Sequence, residues 1–65
     1  MKKGVFVGTF SEDDVRNGVD KQKLWAVQNE TGLKYCNTEF VKKKGKIVGL
    51  KIWACSLEDC EQFNP

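Results

Sequence analysis

The sequence predicts a mostly β protein built on a small antiparallel sheet of about four to five strands, with short helices beside it. Two observations lead to this prediction. Strand-like apolar runs recur through residues 22–55, and two segments that end in glycine, residues 29–32 and 42–45, divide them. Glycine in that position supplies the positive φ that a tight hairpin turn requires. We therefore expect a meander of three consecutive strands joined by two turns.

The length and composition fit one folded domain, residues 1–65. A chain of 65 residues buries only about 60% of its unfolded surface. With 40% apolar residues, six glycines and one proline, the composition is that of a folded chain. The apolar runs are far shorter than the ~20 residues that span a bilayer, and no signal-peptide pattern is present. We therefore expect a cytoplasmic protein that does not contact membranes.

The elements before the meander are a strand and a helical turn. Residues 4–10 read as a first strand. Both faces of this strand carry apolar side chains. Ser11 follows as an expected N-cap, and Glu12, Asp13 and Asp14 place negative charge where the helix dipole favours it. Residues 17–18 are Asn-Gly, which ends a helix. The sequence therefore predicts a short helical turn near residues 11–17.

Counting from three-residue loops gives the expected register of the meander. Lys42 is expected to pair with Lys46, and Tyr35 is expected to lie between Val27 and Trp53 in a row across three strands. Gly49 is expected to mark a bulge or bend. The expected core face carries Leu24, Ala26, Cys36, Phe40, Val48, Leu50, Ile52 and Ala54. The other face carries Trp25, Val27, Tyr35 and Trp53 beside Lys23, Asn37, Glu39 and Lys51.

A short C-terminal helix is expected near residues 57–63. Ser56 is its expected N-cap, and Leu57, Cys60 and Phe63 share a helical stripe. A helix this short must dock on an apolar surface. A strand, a helical turn, a meander and a terminal helix form an architecture similar to SH3-like and OB-like small barrels. No family motif is present, since the aromatic signatures of cold-shock and RRM domains are missing.

The charge distribution indicates an acidic partner molecule. The net charge of +2 hides a basic region, because residues 21–54 carry eight lysines against two glutamates. Aromatic rings flanked by lysines are typical of surfaces that bind single-stranded DNA or RNA. The candidate binding residues are Trp25, Tyr35, Trp53, Lys23, Lys34, Lys51, Lys42, Lys43, Lys44 and Lys46.

Two other interpretations of the aromatic face stay open. The same rings could anchor an acidic protein partner, which would make the chain a protein-interaction or inhibitor domain. They could instead be covered by Val5, Phe6, Phe10, Leu57 and Phe63 as a second core layer, with the lysines serving only as a solvated hairpin tip.

The sequence predicts neither an enzyme nor a cofactor. Histidine is absent, and the acidic residues cluster at capping positions and not as an opposed pair. Cys36, Cys55 and Cys60 are expected to be buried small hydrophobes, with one disulfide plus one thiol as the alternative, and no metal site is expected. Cys60 is the only candidate for a reactive thiol, because it lies in the expected C-terminal helix.

Overall fold

The computed structural model describes residues 4–60, and the strands there form one antiparallel sheet in the order β1-β3-β2. The elements are β1 (Val5–Ser11), α1 (Glu12–Arg16), α2 (Val19–Thr31), β2 (Tyr35–Lys43), β3 (Lys46–Cys55) and a C-terminal 3-10 turn (Leu57–Asp59). Both outer strands are antiparallel to β3, so β1 and β2 run parallel to each other on either side of it. The expected mostly β fold with an antiparallel sheet is confirmed.

The two faces of the sheet differ in what covers them. The helix face carries Phe10, Cys36, Thr38, Phe40, Leu50, Ile52 and Ala54. Phe10, Ile52 and Ala54 are buried there, and α2 contacts both β1 and β3. The Nζ atom of Lys23 on α2 lies 6.0 Å from the centre of the Phe10 ring. The outer face carries Phe6, Thr9, Tyr35, Asn37, Glu39, Lys51 and Trp53.

α1 begins where the sequence predicts it. The Ser11 side chain accepts a hydrogen bond from the backbone N–H of Asp14 at 3.2 Å, and the Asp14 carboxylate accepts one from the Ser11 N–H at 3.1 Å. This reciprocal pair is a capping box, which satisfies two backbone donors at the start of the helix. Asn17 caps the other end after five residues. The expected helical turn near residues 11–17 is therefore confirmed.

The predicted first strand of the meander, residues 24–27, is wrong because these residues lie within α2. Residues 21–30 are rich in helix formers such as Lys, Gln, Leu, Ala and Glu. The less exposed positions of α2 include 20, 24, 27 and 28, which is the spacing of one helical face. Gly32 has a φ of 77° and caps the C-terminus of this helix. Its positive φ therefore ends a helix and does not turn a hairpin.

The second predicted turn is confirmed in place but is shorter than expected. Lys43 pairs with Lys46, so only Lys44 and Gly45 lie in the loop, with φ values of 53° and 79°. Tyr35 consequently lies opposite Cys55, where the sequence analysis expected Trp53. The pairing is shifted by two residues along most of the hairpin. Because side chains alternate with a period of two, the residues of both strands before the bulge keep their expected faces. At the tip, Lys46 lies opposite Lys43 and not opposite Lys42, so it is on the other face from the one expected.

A bulge lies beside Gly49, where an irregularity is expected. The pairing of β2 with β3 shifts between Val41, which lies opposite Gly49, and Lys42, which lies opposite Ile47. β2 itself is continuous through this region, so Lys42 stays on the helix face and Lys43 on the outer face. The bulge therefore places Ile47 on the helix face beside Phe40.

Several expectations about architecture are not confirmed. The described residues contain three strands and not four to five, and the helices cover one face of an open sheet. An SH3-like or OB-like barrel is not confirmed. The C-terminal helix is represented by the 3-10 turn, and the rest of the expected segment, residues 61–63, lies outside the described residues. Between residues 4 and 60, no helix is long and apolar enough to cross a bilayer.

Candidate functional site

Two aromatic side chains meet on the outer face, near the start of β1 and the end of β3. Phe6 on β1 lies directly opposite Trp53 on β3, and their ring centres are 5.4 Å apart with the planes tilted by 56°. Phe6 is 53% exposed and Trp53 is half-buried. Rings in this arrangement attract each other, and this attraction adds to the stabilisation from the apolar area that they bury. The pair presents aromatic surface on the side of the sheet away from α2.

The C-terminal 3-10 turn bounds this aromatic surface at one end. The Asn37 side chain, buried on the outer face next to Trp53, donates a hydrogen bond from Nδ2 to the backbone oxygen of Asp59 at 2.9 Å. Ser56 donates to the Asp59 carboxylate at 3.3 Å, which braces the turn. Tyr35 lies beside it at the start of β2, with its side chain partly exposed. The C-terminal segment therefore docks on the face that carries Tyr35 and Trp53.

Lysines continue the outer face away from the aromatic pair. Lys51 precedes Trp53 by two residues on β3, about 7 Å along the strand, and lies opposite Glu39. Farther along, Lys43 and Lys46 lie opposite each other at the end of the hairpin. The outer face therefore carries aromatic rings, then a mixed Lys–Glu pair, then two uncompensated positive charges in a line.

The hairpin tip departs from what stability alone favours. Like charges directly opposite each other in a sheet are destabilising, and Lys43 and Lys46 are such a pair. Lys44 adopts a φ of 53°, a left-handed conformation that Gly, Asn and Asp occupy at lower cost. Departures of this kind concentrate at functional positions. Folding stability alone therefore does not explain the Lys43–Lys46 pairing or the conformation of Lys44.

The predicted site residues do not form one surface. The outer face brings together Tyr35, Trp53, Lys51, Lys43 and Lys46, whereas Lys42 lies on the helix face and Lys44 in the turn. Trp25 and Lys23 lie on α2, on the other side of the sheet, and Lys34 lies in the loop after that helix. The predicted row of Val27, Tyr35 and Trp53 is therefore wrong, because residues 24–27 are helical.

Trp25 is exposed at a separate place on the surface of α2. Its side chain is 67% exposed, between a shallow depression beside Lys21 and another beside Lys34. The helix turns this ring away from the sheet, so it cannot act together with Trp53.

No protein-family model matches this chain, and neither a curated protein nor a solved structure with significant similarity is found. The arrangement of its own side chains must therefore indicate what it does.

Phe6 is a functional candidate that the predicted site does not include, because the sequence suggests it only as a residue that covers the aromatic face. The first strand has apolar residues on both faces, which suggests burial on both. The pairing of this strand with β3 joins residues that are 38 to 49 positions apart, and no local pattern encodes that pairing. Only the position of β1 beside β3 shows that Phe6 adjoins Trp53.

The three cysteines converge where the 3-10 turn meets the sheet, as reduced thiols. The Cys60 thiol donates to the backbone oxygen of Cys36 at 3.4 Å. Burial and then a side-chain hydrogen bond with Cys60 raise the pKa of Cys55 to about 11, and burial also raises the pKa of Cys36. A raised pKa leaves little thiolate, so Cys36 and Cys55 are poor nucleophiles. No group of three or more Cys, Asp or Glu side chains within residues 4–60 is arranged to hold a metal ion.

Proposed function

We propose that this protein binds single-stranded nucleic acid along the outer face of its sheet. The observation that carries the proposal is the line formed by the Phe6–Trp53 ring pair, Lys51 and the Lys43–Lys46 pair on one face. Exposed rings stack with bases of any sequence, and lysines neutralise backbone phosphates. A sheet face that carries both groups suits a flexible single strand.

The charges indicate how a strand would lie. Near the aromatic end, Glu58 and Asp59 of the 3-10 turn would repel phosphates, whereas Lys43 and Lys46 at the other end attract them. Bases therefore stack on Phe6 and Trp53, and the backbone continues past Lys51 towards the hairpin tip. Stacking contributes about 1–3 kcal/mol per base, so two rings account for useful but modest affinity.

Salt dependence tests the role of the lysines. With three phosphate contacts, the logarithm of the affinity should fall with the logarithm of salt concentration with a slope of about −2, since each contact contributes about −0.7. The measurement is fluorescence anisotropy of a labelled single-stranded oligonucleotide over a range of salt concentrations. Replacing Lys43 and Lys46 together by Gln should weaken binding at low salt and reduce the slope to about −0.7.

The matched control is the double replacement of Lys21 and Lys34 by Gln. Both are exposed lysines that lie near Trp25, away from the outer face. Their replacement changes the net charge by the same amount as the replacement of Lys43 and Lys46. This variant should bind nearly as the unmodified protein does. Equal weakening by both double variants would show that only net charge matters, and no binding at low salt would refute the proposal.

An acidic protein segment is the other class of partner that the sequence allows. Capture from a lysate with and without nuclease treatment separates the two classes. A partner lost after nuclease treatment, together with the oligonucleotide result, supports nucleic acid. If a partner is still captured after nuclease treatment, and its capture requires Phe6 and Lys43, the outer face binds a protein and the nucleic-acid proposal is wrong.

A further inference from the structure

An apolar groove lies on the helix face, between α1 and the far half of the β2–β3 hairpin. Its volume is about 420 Å³, and its lining includes Val15 from α1 with Phe40, Ile47 and Leu50 from the sheet. Phe40 is 60% exposed and Ile47 is 53% exposed. Contiguous apolar side chains left this open on a small protein indicate an interaction surface.

The groove exists because the helices cover only part of the helix face. Phe10, Ile52 and Ala54 are buried there, but Phe40 and Ile47 lie nearer the hairpin tip. The bulge beside Gly49 keeps Ile47 on the same face as Phe40, so the uncovered apolar surface is continuous. The sheet thus presents a hydrophobic strip beyond the end of its own core.

The two borders of the groove carry opposite charge. On the α1 border, Glu12 and Arg16 both line the groove and form an ion pair at 3.3 Å. The helix as a whole carries three acidic residues against this one arginine, so it is acidic in total. On the hairpin border, Lys42 lies opposite Ile47 on the same face, next to the other lysines of the tip. The surface is therefore acidic on one side, apolar in the middle and basic on the other.

We infer that the occupant of this groove is a second copy of the same chain, related by a two-fold axis. A two-fold interface requires a surface that complements itself. Rotation by half a turn places Phe40 and Ile47 against their counterparts. It also places the acidic α1 of each copy against the basic hairpin border of the other. A foreign acidic or basic partner would match only one of the two borders.

The dimer leaves the proposed nucleic-acid site accessible. Side chains alternate along β2, so Lys42 belongs to the groove while Lys43 belongs to the outer face. The two surfaces can therefore be tested independently. Phe6→Ala should weaken oligonucleotide binding and leave self-association unchanged.

Sedimentation velocity of nuclease-treated protein over a range of concentrations tests the apolar centre. The unmodified chain should move from monomer to dimer as concentration rises. Ile47→Ser should raise the dimer dissociation constant at least tenfold, while Trp25→Ser, which removes an equally exposed apolar side chain elsewhere, should leave it unchanged. A monomer at every concentration overturns the inference, as does equal loss in both variants.

A charge exchange tests the two-fold arrangement itself. Glu12→Lys and Lys42→Glu should each weaken self-association, because each variant opposes like charges at both borders. Mixing the two variants should restore a heterodimer, because both of its borders then pair opposite charges. Recovery in the mixture also shows that both variants are folded. Two weakened variants that fail to associate when mixed contradict the arrangement, as does full self-association of either one alone.

Discussion

Lys44 adopts a backbone conformation that is unfavourable for a lysine. It occupies a turn position with a φ of 53°, where an Asn side chain is better tolerated. We expect Lys44→Asn to stabilise the protein by roughly 0.5–1 kcal/mol, given the cost of the left-handed region for ordinary residues. Urea denaturation measures this change. Lys44→Gln removes the same charge without this conformational gain, so equal stabilisation by both variants would assign the effect to charge repulsion.

Cys55 is the residue through which alkaline pH should act on stability. Its pKa is raised from 9.0 to about 11 in the folded protein. Between these values the native thiol keeps a proton that the unfolded chain releases, so the free energy of unfolding falls as pH rises through this window and is unaffected below it. Each unit of pKa difference corresponds to about 1.4 kcal/mol.

The measurement for Cys55 is urea denaturation on both sides of that window. Cys55→Ala removes the titrating thiol and serves as the control, because losses due to lysine deprotonation remain in it. The unmodified protein should lose more stability with rising pH than Cys55→Ala does. Identical pH profiles in the two proteins would show that burial of this thiol does not contribute.

α2 is the element in which a single substitution best distinguishes the observed helix from the predicted strand. Ala26 is exposed on this helix. Valine is less favourable than alanine in a helix, so Ala26→Val should destabilise the protein by about 0.5 kcal/mol. The same change in a strand would be neutral or stabilising. Thermal denaturation of Ala26→Val beside Ala26→Gly, which should cost about 1 kcal/mol, distinguishes the two structures.

The elements also show which local sequence signals are sufficient to predict a helix end or a turn. The Ser11 N-cap and the Gly45 turn are encoded by neighbouring residues, and both are found where the sequence predicts them. The Gly32 signal is ambiguous, because a positive φ serves a hairpin turn and a helix C-cap equally. Because of this ambiguity, the sequence predicts a strand at residues 24–27, where the structure has a helix. The faces of the hairpin away from its tip are nevertheless predicted correctly, because the register there differs by two residues.

In the molecule as a whole, the proposed binding surface depends on contacts that no local pattern specifies. β1 pairs with β3 across the length of the chain, which places Phe6 beside Trp53. α2 takes Trp25 to the opposite side of the sheet. Part of the predicted site therefore persists, since the outer-face positions of Tyr35, Trp53, Lys51 and Lys43 follow from hairpin alternation. Lys46 joins them only because of the bulge beside Gly49. The partner of Trp53 could only come from the fold.

The fluorescence of the two tryptophans can show whether the proposed ligand binds to the outer face or to the surface of α2. Trp25→Phe leaves Trp53 as the only indole, and Trp53→Phe leaves Trp25. Stacking of bases on the outer face should quench the emission of the Trp25→Phe protein as single-stranded oligonucleotide is added, with a saturation curve that matches anisotropy. The Trp53→Phe protein should bind with little change in emission. Quenching confined to the Trp53→Phe protein would place the ligand on α2 and contradict the account.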